Sequence, residues 1–221
     1  MATKMTKPRV ALISLNLQPF FDEMYGSLLA ELASKANVQR VKKASSAVRL
    51  MSEQPPPSAA LITDEALTDN ENAHVWEAVL QYVRQGGTAV VMGHFSNFVT
   101  PPAMKQFFAK AGVQWESGSY HRTTVVLNQT AVGHSLATTL PPRYSQKALF
   151  VNNVAHVDAW YRTDENSVVE SMVFAPTSTN TVGEAPVALT HVGDGKLGYL
   201  GDVNAEKDSD AVILAMCGLS E

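Results

Sequence analysis

One short segment of this chain carries residue types that acid–base or nucleophilic chemistry needs. The segment TAVVMGHFSNF runs from Thr88 to Phe98, and its first five residues are typical of a buried strand. Gly93 then predicts a tight turn, which presents the imidazole of His94 and the hydroxyl of Ser96. A strand that ends in such a turn presents the nucleophile in several α/β enzymes. This elbow segment is therefore the first candidate for a catalytic site.

His94 is the catalytic residue that we predict in the elbow segment. A ring that projects over a helix N-terminus is held neutral by the local dipole, and a neutral imidazole can accept a proton. Asp202 or Glu65 would then orient the second ring nitrogen. The alternative is that His94 packs within the loop and its ring hydrogen-bonds to a backbone carbonyl. Ser96 is a weaker candidate, because GHFSN lacks the second glycine of the GxSxG motif.

Further polar residues follow the other predicted strands. Ligands of open parallel α/β sheets bind beyond the carboxyl ends of the strands, where these amides, carboxylates and the imidazole would meet. Such a set suits a general acid–base pair or a pocket for a small polar molecule. We predict two groups of site residues: the catalytic residues His94, Asp202, Glu206 and Glu65, and the ligand-binding residues Asn16, Gln18, Ser96, Asn97, His121 and Asn204.

Two of these predictions have stated alternatives. Asp64 and Glu65 are adjacent on a strand end and point to opposite sides, so only one of them can face the pocket. The alternative is that one of them is the N-cap of the following helix. His121 lies in the triplet Tyr120-His121-Arg122, which could fold over the sheet edge and reach an anionic group of a substrate. A surface or structural role is the alternative for His121.

Metal and nucleotide sites find no support in the sequence. The six histidines are scattered without an HxH or HxxxH pair, so we predict no metal site. No GxGxxG or P-loop pattern is present, so we predict no cofactor. The single cysteine, Cys217, excludes an internal disulfide, and its apolar neighbours predict a buried side chain.

The bulk composition is that of a globular cytoplasmic protein. The chain has 221 residues, of which 45% are hydrophobic and 17% are charged, and we predict a single domain over residues 1–221. The formal charge of −4 and the absence of a Lys/Arg cluster argue against nucleic acid or an anionic membrane as a partner. No secretory signal and no apolar run long enough to span a bilayer are visible.

The first half of the chain alternates strands with helices. Apolar strands without alternation indicate burial on both faces, hence a mostly parallel sheet with helices on each side. The second half is richer in strands and ends in a helix. The predicted strands are 9–15, 38–43, 59–67, 88–92, 121–129, 147–155, 167–175, 186–192 and 196–203. The predicted helices are 22–36, 45–54 with Ser45 or Ser46 as N-cap, 70–87, 103–111 and 208–219.

Three segments resemble the class I glutamine amidotransferase-like superfamily, which includes the ThuA-like trehalose-utilisation proteins. They are QYVRQGGTAVVMGHFS, AVGHSLATTLPPRY and GDGKLGYLGDVNAEKDSDAVILAMCGL. The resemblance implies a flavodoxin-like three-layer α/β sandwich with a mostly parallel central sheet and a β-rich second half. Members of this superfamily often form dimers, so a homodimer is compatible with the sequence. The pairs Phe20-Phe21 and Phe107-Phe108 suit a dimer contact or the core equally well.

The chain departs from this superfamily where its chemistry lies. The nucleophilic Cys of the elbow is replaced by His94 or Phe95, and the terminal turn offers Asp202 and Asn204 in place of the activating His. Glutaminase chemistry needs a thiolate with a base beside it, so we reject glutamine hydrolysis. Two hypotheses remain. One is an enzyme of hydrolase, isomerase or lyase type that acts on a small polar metabolite through His94, and the other is a non-catalytic binding or interaction protein.

Overall fold

The computed structural model describes residues 7–173 and 175–220. Its strands, in chain order, are β1 (Arg9–Ile13), β2 (Asn37–Val41), β3 (Ala59–Ile62), β4 (Thr88–Val91), β5 (Glu116–Leu127), β6 (Arg143–Asn152), β7 (Ala159–Arg162), β8 (Val168–Val169), β9 (Thr177–Ser178), β10 (Val187–Val192) and β11 (Gly195–Leu200). Its helices are α1 (Phe21–Met24), α2 (Gly26–Lys35), α3 (Ala44–Met51), α4 (Ala73–Arg84), α5 (Phe95–Phe98), α6 (Pro101–Lys110), α7 (Gln129–Val132), α8 (His134–Ala137) and α9 (Lys207–Met216). Two 3₁₀ turns, Glu65–Thr68 and Asn70–Asn72, precede α4.

Nine strands form one sheet with the order β2-β1-β3-β4-β11-β10-β7-β5-β6. The first five strands of this order run parallel. The remaining pairs, from β11–β10 to β5–β6, are antiparallel. The short strands β8 and β9 pair with each other in a separate antiparallel sheet. The predicted α/β fold with a mostly parallel central sheet and a β-rich second half is confirmed.

Each face of the parallel strands is covered by helices. Successive side chains of a strand point to opposite faces. Accordingly, Ala11 and Ile13 of β1 pack with residues of α3, α4 and α6, whereas Val10 and Leu12 pack with residues of α2 and α9. Both faces are buried, which explains why these strands are continuous apolar runs. No helix in the described residues is long and apolar enough to cross a membrane.

The structure corrects several predicted elements. Strand β7 was not predicted, because four residues are too short to show a period, yet it lies between β10 and β5. The predicted strand 167–175 is reduced to Val168–Val169, and it includes Phe174, which lies outside the described residues. Strand β3 ends at Ile62. Helix α3 begins at Ala44 after Lys43, so neither predicted serine is its N-cap.

The two phenylalanine pairs lie mainly in the core. Phe21, Phe107 and Phe108 are buried, whereas Phe20 is half-exposed. Trp76 of α4 stacks on Phe107 with ring centroids 3.9 Å apart and donates its indole N–H to the Phe107 carbonyl. Core packing therefore accounts for the pair in α6. A homodimer stays a prediction.

Gly201 is a position where the sheet tolerates no side chain. Its N–H donates to the Pro186 carbonyl, and its carbonyl accepts from the Leu149 N–H. A Cβ placed on Gly201 would lie 1.9 Å from the Leu149 carbonyl oxygen, which is far inside contact distance. Strands β11 and β6 would have to move apart to admit it.

We therefore expect Gly201→Ala to lower the free energy of unfolding by about 3 kcal/mol, the upper range for overpacking in a core. Urea unfolding followed by circular dichroism measures the change. Gly26→Ala is the matched control, because no atom lies within 4 Å of its added Cβ. A Gly201→Ala variant as stable as the control would contradict the close approach.

Candidate functional site

The elbow segment forms the expected turn, but its special residue is Gly93. Strand β4 ends at Val91, and the Met92 and His94 N–H groups donate to the carbonyls of Ile62 and Thr63. Gly93 has φ 66°, the left-handed conformation, whereas His94 has φ −71°. An added Cβ on Gly93 would lie 3.0 Å from the Thr63 carbonyl oxygen. The sharp position between strand and helix, predicted for His94 or Phe95, therefore carries no side chain.

The His94 ring is buried among aromatic side chains. It is 1% exposed, and its centroid lies 4.9 Å from that of Phe20, 5.2 Å from Phe21, 5.8 Å from Tyr25 and 5.6 Å from Phe98. Neither ring nitrogen has a hydrogen-bond partner within residues 7–173 and 175–220. Burial lowers the pKa of His94, and the charge of Glu65 opposes this shift. The imidazole is therefore held neutral at physiological pH.

This geometry corrects the predicted surroundings of His94. The expected hydrogen bond from its second nitrogen to Asp202 or Glu65 is not formed, and neither is the alternative bond from the ring to a backbone carbonyl. The cause is the short helix α1 and the residues beside it. Phe20, Phe21 and Tyr25 pack against the imidazole and occupy the space in which a carboxylate would have to lie. Acid–base chemistry at His94 stays a prediction.

Three predicted site residues, Asn16, Gln18 and Glu65, form a hydrogen-bonded group with Asp64 at the ends of β1 and β3. Asn16 donates its backbone N–H to Asp64 Oδ2 at 3.0 Å and its side-chain amide to Glu65 Oε1 at 2.7 Å. Gln18 Nε2 donates to the Asn16 carbonyl at 3.3 Å. Asp64 also accepts from the Ala66 N–H, so it is the cap of the turn after β3. Burial raises the pKa of Asp64 to about 6.

Ser96 and Asn97 link the elbow to the end of β11. Ser96 Oγ lies 3.1 Å from the Tyr199 hydroxyl, which donates to the Leu149 carbonyl. Asn97 Nδ2 donates to the Val203 carbonyl at 3.3 Å. Both side chains thus hold neighbouring segments together in this conformation. Their predicted role in ligand binding stays untested.

Asp202 shapes the turn before α9. Its carboxylate accepts from the backbone N–H groups of Asn204 at 2.8 Å and Glu206 at 2.7 Å, and the residue is buried. Burial raises the pKa of Asp202, and these hydrogen bonds oppose the rise. Burial, and to a smaller extent the charge of Asp202, raises the pKa of Tyr25, whose ring contacts His94.

Glu206 and Asn204 instead meet Arg122 of β5. The Arg122 guanidinium donates one Nη2 hydrogen to Glu206 Oε1 and Nη1 to Ser145 Oγ at 3.1 Å. In the amide orientation that satisfies its neighbours, the Asn204 side-chain oxygen accepts from Arg122 Nη2 at 2.8 Å. Ser145 in turn donates to Glu170 at 2.6 Å. The predicted set is thus divided between the elbow and a second place in the β-rich half.

A groove lies at this second place, between the β5–β6 pair and residues 169–172, Ala175 and Thr177. Its volume is about 630 Å³, and we call it the β5 groove; its lining residues are His121, Arg122, Lys147, Val169, Glu170, Ser171, Met172, Ala175 and Thr177. His121 stacks on Phe150 with centroids 4.8 Å apart, and its Nε2 lies 2.9 Å from Thr179 Oγ1. The predicted His121 and Arg122 therefore line a cavity.

Lys147 and Glu170 of this groove were not predicted from the sequence. Lys147 lies directly opposite Arg122 in the antiparallel register of β5 and β6. In β6, Ser145 and Lys147 alternate with the buried residues Tyr144, Gln146 and Ala148. Because Gln146 is polar, the sequence does not show this alternation, and it does not show the pairing of the two strands either. Glu170 lies beside Arg122 because its N–H donates to the Arg122 carbonyl at 2.8 Å.

The described residues show neither a metal-binding group nor a reactive thiolate. Within the residues that the structure describes, no three His, Cys, Asp or Glu side chains form a group that could hold a metal ion. Cys217 is buried at the end of α9, and burial raises the pKa of its thiol to about 12. This cysteine is therefore protonated at neutral pH.

Solved structures identify the fold. A protein from Bacteroides uniformis ATCC 8492 described as ThuA-like matches with a TM-score of 0.57 at 11% identity, over 96% of this chain and 91% of that one. A second protein so described, from Parabacteroides merdae ATCC 43184, matches with a TM-score of 0.55 at 12% identity, over 97% and 90% of the two chains. This chain has the ThuA-like fold. The resemblance inferred from the sequence is thereby confirmed at the level of fold.

The same fold also occurs within a longer enzyme. The β-galactosidase from Bacillus circulans sp. alkalophilus matches with a TM-score of 0.54 at 13% identity, over 96% of this chain but only 31% of that one. No family model and no curated protein matches the sequence. Since identities this low establish the fold alone, the function of this chain has to be argued from its own residues.

The buried His94 ring predicts a pH-dependent stability. Replacing it by Leu removes two unpartnered nitrogens, so we expect His94→Leu to raise the free energy of unfolding by about 1 kcal/mol at pH 8. Because the pKa of His94 is lowered in the folded state, the unfolded wild type binds a proton first as pH falls through about 6.5. The advantage of the variant should therefore grow between pH 7 and pH 5.

Urea unfolding at pH 5, 6, 7 and 8 measures this difference. His156→Gln, which replaces an exposed histidine, is the matched control. A difference for His94→Leu that does not change with pH would contradict a neutral, buried imidazole.

Proposed function

We propose that this chain is a non-catalytic protein that binds a small polar molecule on a ThuA-like fold. The observation that carries the proposal is the conformation of the elbow. Gly93 takes the left-handed position between β4 and α5, and it has no side chain that could serve as a nucleophile. The next residue, His94, lies under four aromatic rings. The proposal includes a cytoplasmic location and a small-molecule partner.

The absence of a reactive thiolate supports the same proposal. Glutamine hydrolysis needs a thiolate activated by a neighbouring base. Cys217 lies at the far end of α9 from the Asp202 turn, and burial raises the pKa of its thiol. Asp202, near the place of the activating His in the amidotransferases, is occupied by two backbone N–H groups.

A second candidate, acid–base catalysis at His94, is favoured by one specific observation. Both ring nitrogens and Glu65 Oε2 are buried without a partner, and Glu65 acts electrostatically on His94. A substrate that displaced the half-exposed rings of Phe20 and Phe98 would gain access to these atoms. This candidate requires movement of α1, whereas the binding proposal requires none.

Turnover measurements separate the two candidates. We would incubate wild type and His94→Leu with a defined mixture of amides, esters, sugar derivatives, hydroxy acids and phosphate esters, and follow every compound by mass spectrometry. We expect no release of ammonia from glutamine and no compound consumed by either protein. A compound consumed by wild type and spared by the folded variant would overturn the proposal in favour of acid–base catalysis.

A further inference from the structure

We propose that the β5 groove is a binding site for a small molecule with one carboxylate or phosphate group and an apolar body. This inference rests on the proposed binding function and gives it a place and a ligand class. The groove lies in the β-rich half of the chain, away from the elbow. Its volume of about 630 Å³ lies within the range of small-molecule pockets.

The first argument is a pair of like charges. Arg122 and Lys147 lie directly opposite each other on antiparallel strands, an arrangement that destabilises a sheet unless an anion compensates it. Arg122 has such an anion in Glu206. For Lys147, the part of the chain that the structure describes places no carboxylate within ion-pair distance. Its ammonium lies 5.4 Å from the centroid of the Tyr120 ring.

The second argument is that Arg122 is already positioned. Three of its five N–H donors are taken, by Ser145, Glu206 and Asn204, which fixes the plane of the guanidinium. A fixed guanidinium loses little further freedom when a carboxylate or phosphate arrives. The remaining donors and the Lys147 ammonium can then share one anionic group.

The third argument concerns the carboxylate in the groove wall. Glu170 Oε1 accepts from Thr124 Oγ1 at 2.8 Å, and Oε2 accepts from Ser145 Oγ at 2.6 Å. Both oxygens are thus engaged by hydroxyls of β5 and β6. Glu206 is likewise engaged by Arg122, so among the described residues Lys147 is the lining cation that has no carboxylate partner.

The fourth argument is the apolar rim. Val169, Met172 and Ala175 line the groove on the side of the β8–β9 connection. Met172 is fully exposed, and the adjacent Val173 is 81% exposed. Exposed apolar side chains grouped beside a cavity mark ligand-binding surfaces. A ligand with an apolar body would cover this rim while its anionic group meets Lys147.

Isothermal titration calorimetry with three probes tests the charge requirement. We would titrate benzoate, phenyl phosphate and benzamide, which is a neutral molecule of nearly the shape of benzoate. We expect at least one of the two anions to bind at least tenfold more tightly than benzamide. The tighter of the two anions then identifies a carboxylate or a phosphate as the preferred group.

Substitutions at the groove test the location. Lys147→Met should weaken binding of that anion at least tenfold, and Lys110→Met, at an exposed lysine of α6, should not change it. Met172→Glu should weaken the anion several-fold relative to Met172→Gln. Because the Met172 side chain is fully exposed, neither of its variants should impair folding.

Two outcomes would overturn the inference. One is anion binding that is unaffected by Lys147→Met and Met172→Glu, which would leave the binding function intact but place it elsewhere. The other is no binding of either anion at millimolar concentration. Neither outcome gives information about catalysis at the elbow. Turnover that depends on His94 would contradict the proposed non-catalytic function, but it would not change the affinity of the groove for anions.

Discussion

The close approach of the elbow to the end of β3 determines how the candidate site is built. Two backbone hydrogen bonds, from Met92 to Ile62 and from His94 to Thr63, draw the residues after β4 against the neighbouring strand. Only a residue in the left-handed conformation can make the turn between them, and the Thr63 carbonyl leaves little room for a Cβ there. Gly93 satisfies this constraint, and the following residue, His94, is therefore directed into the interior rather than displayed at the sheet edge.

The burial of His94 leaves polar atoms unpaired around α1. Both His94 nitrogens, the Tyr25 hydroxyl and Glu65 Oε2 lack a hydrogen-bond partner in the described residues. An unsatisfied buried polar group costs about 1–3 kcal/mol. Aromatic packing of Phe20, Phe21 and Tyr25 on the imidazole offsets part of this cost. Around α1, tight aromatic packing therefore leaves buried polar atoms without hydrogen bonds.

The sequence was informative about the fold where residues are buried on both faces. Strands β1, β3 and β4 and helix α4 were predicted because long apolar runs and a 3.6-residue period are set by local burial. Strand β7 and the pairing of β5 with β6 were not, since four residues show no period and register depends on distant segments. The same holds for the site. The residues that follow the strands were predicted from their place in the sequence, whereas the side-chain partners of Arg122 come from distant segments, namely β6 and the turn before α9.

The turn Asp202–Glu206 places its polar side chains on two sides. Asp202 is buried and stabilises the turn by accepting hydrogen bonds from two backbone N–H groups, and it forms no hydrogen bond with His94. Glu206 and Asn204 face the other way and hold Arg122. The same five residues thus connect the elbow with the β-rich half, where the positive charges of β5 and β6 lie.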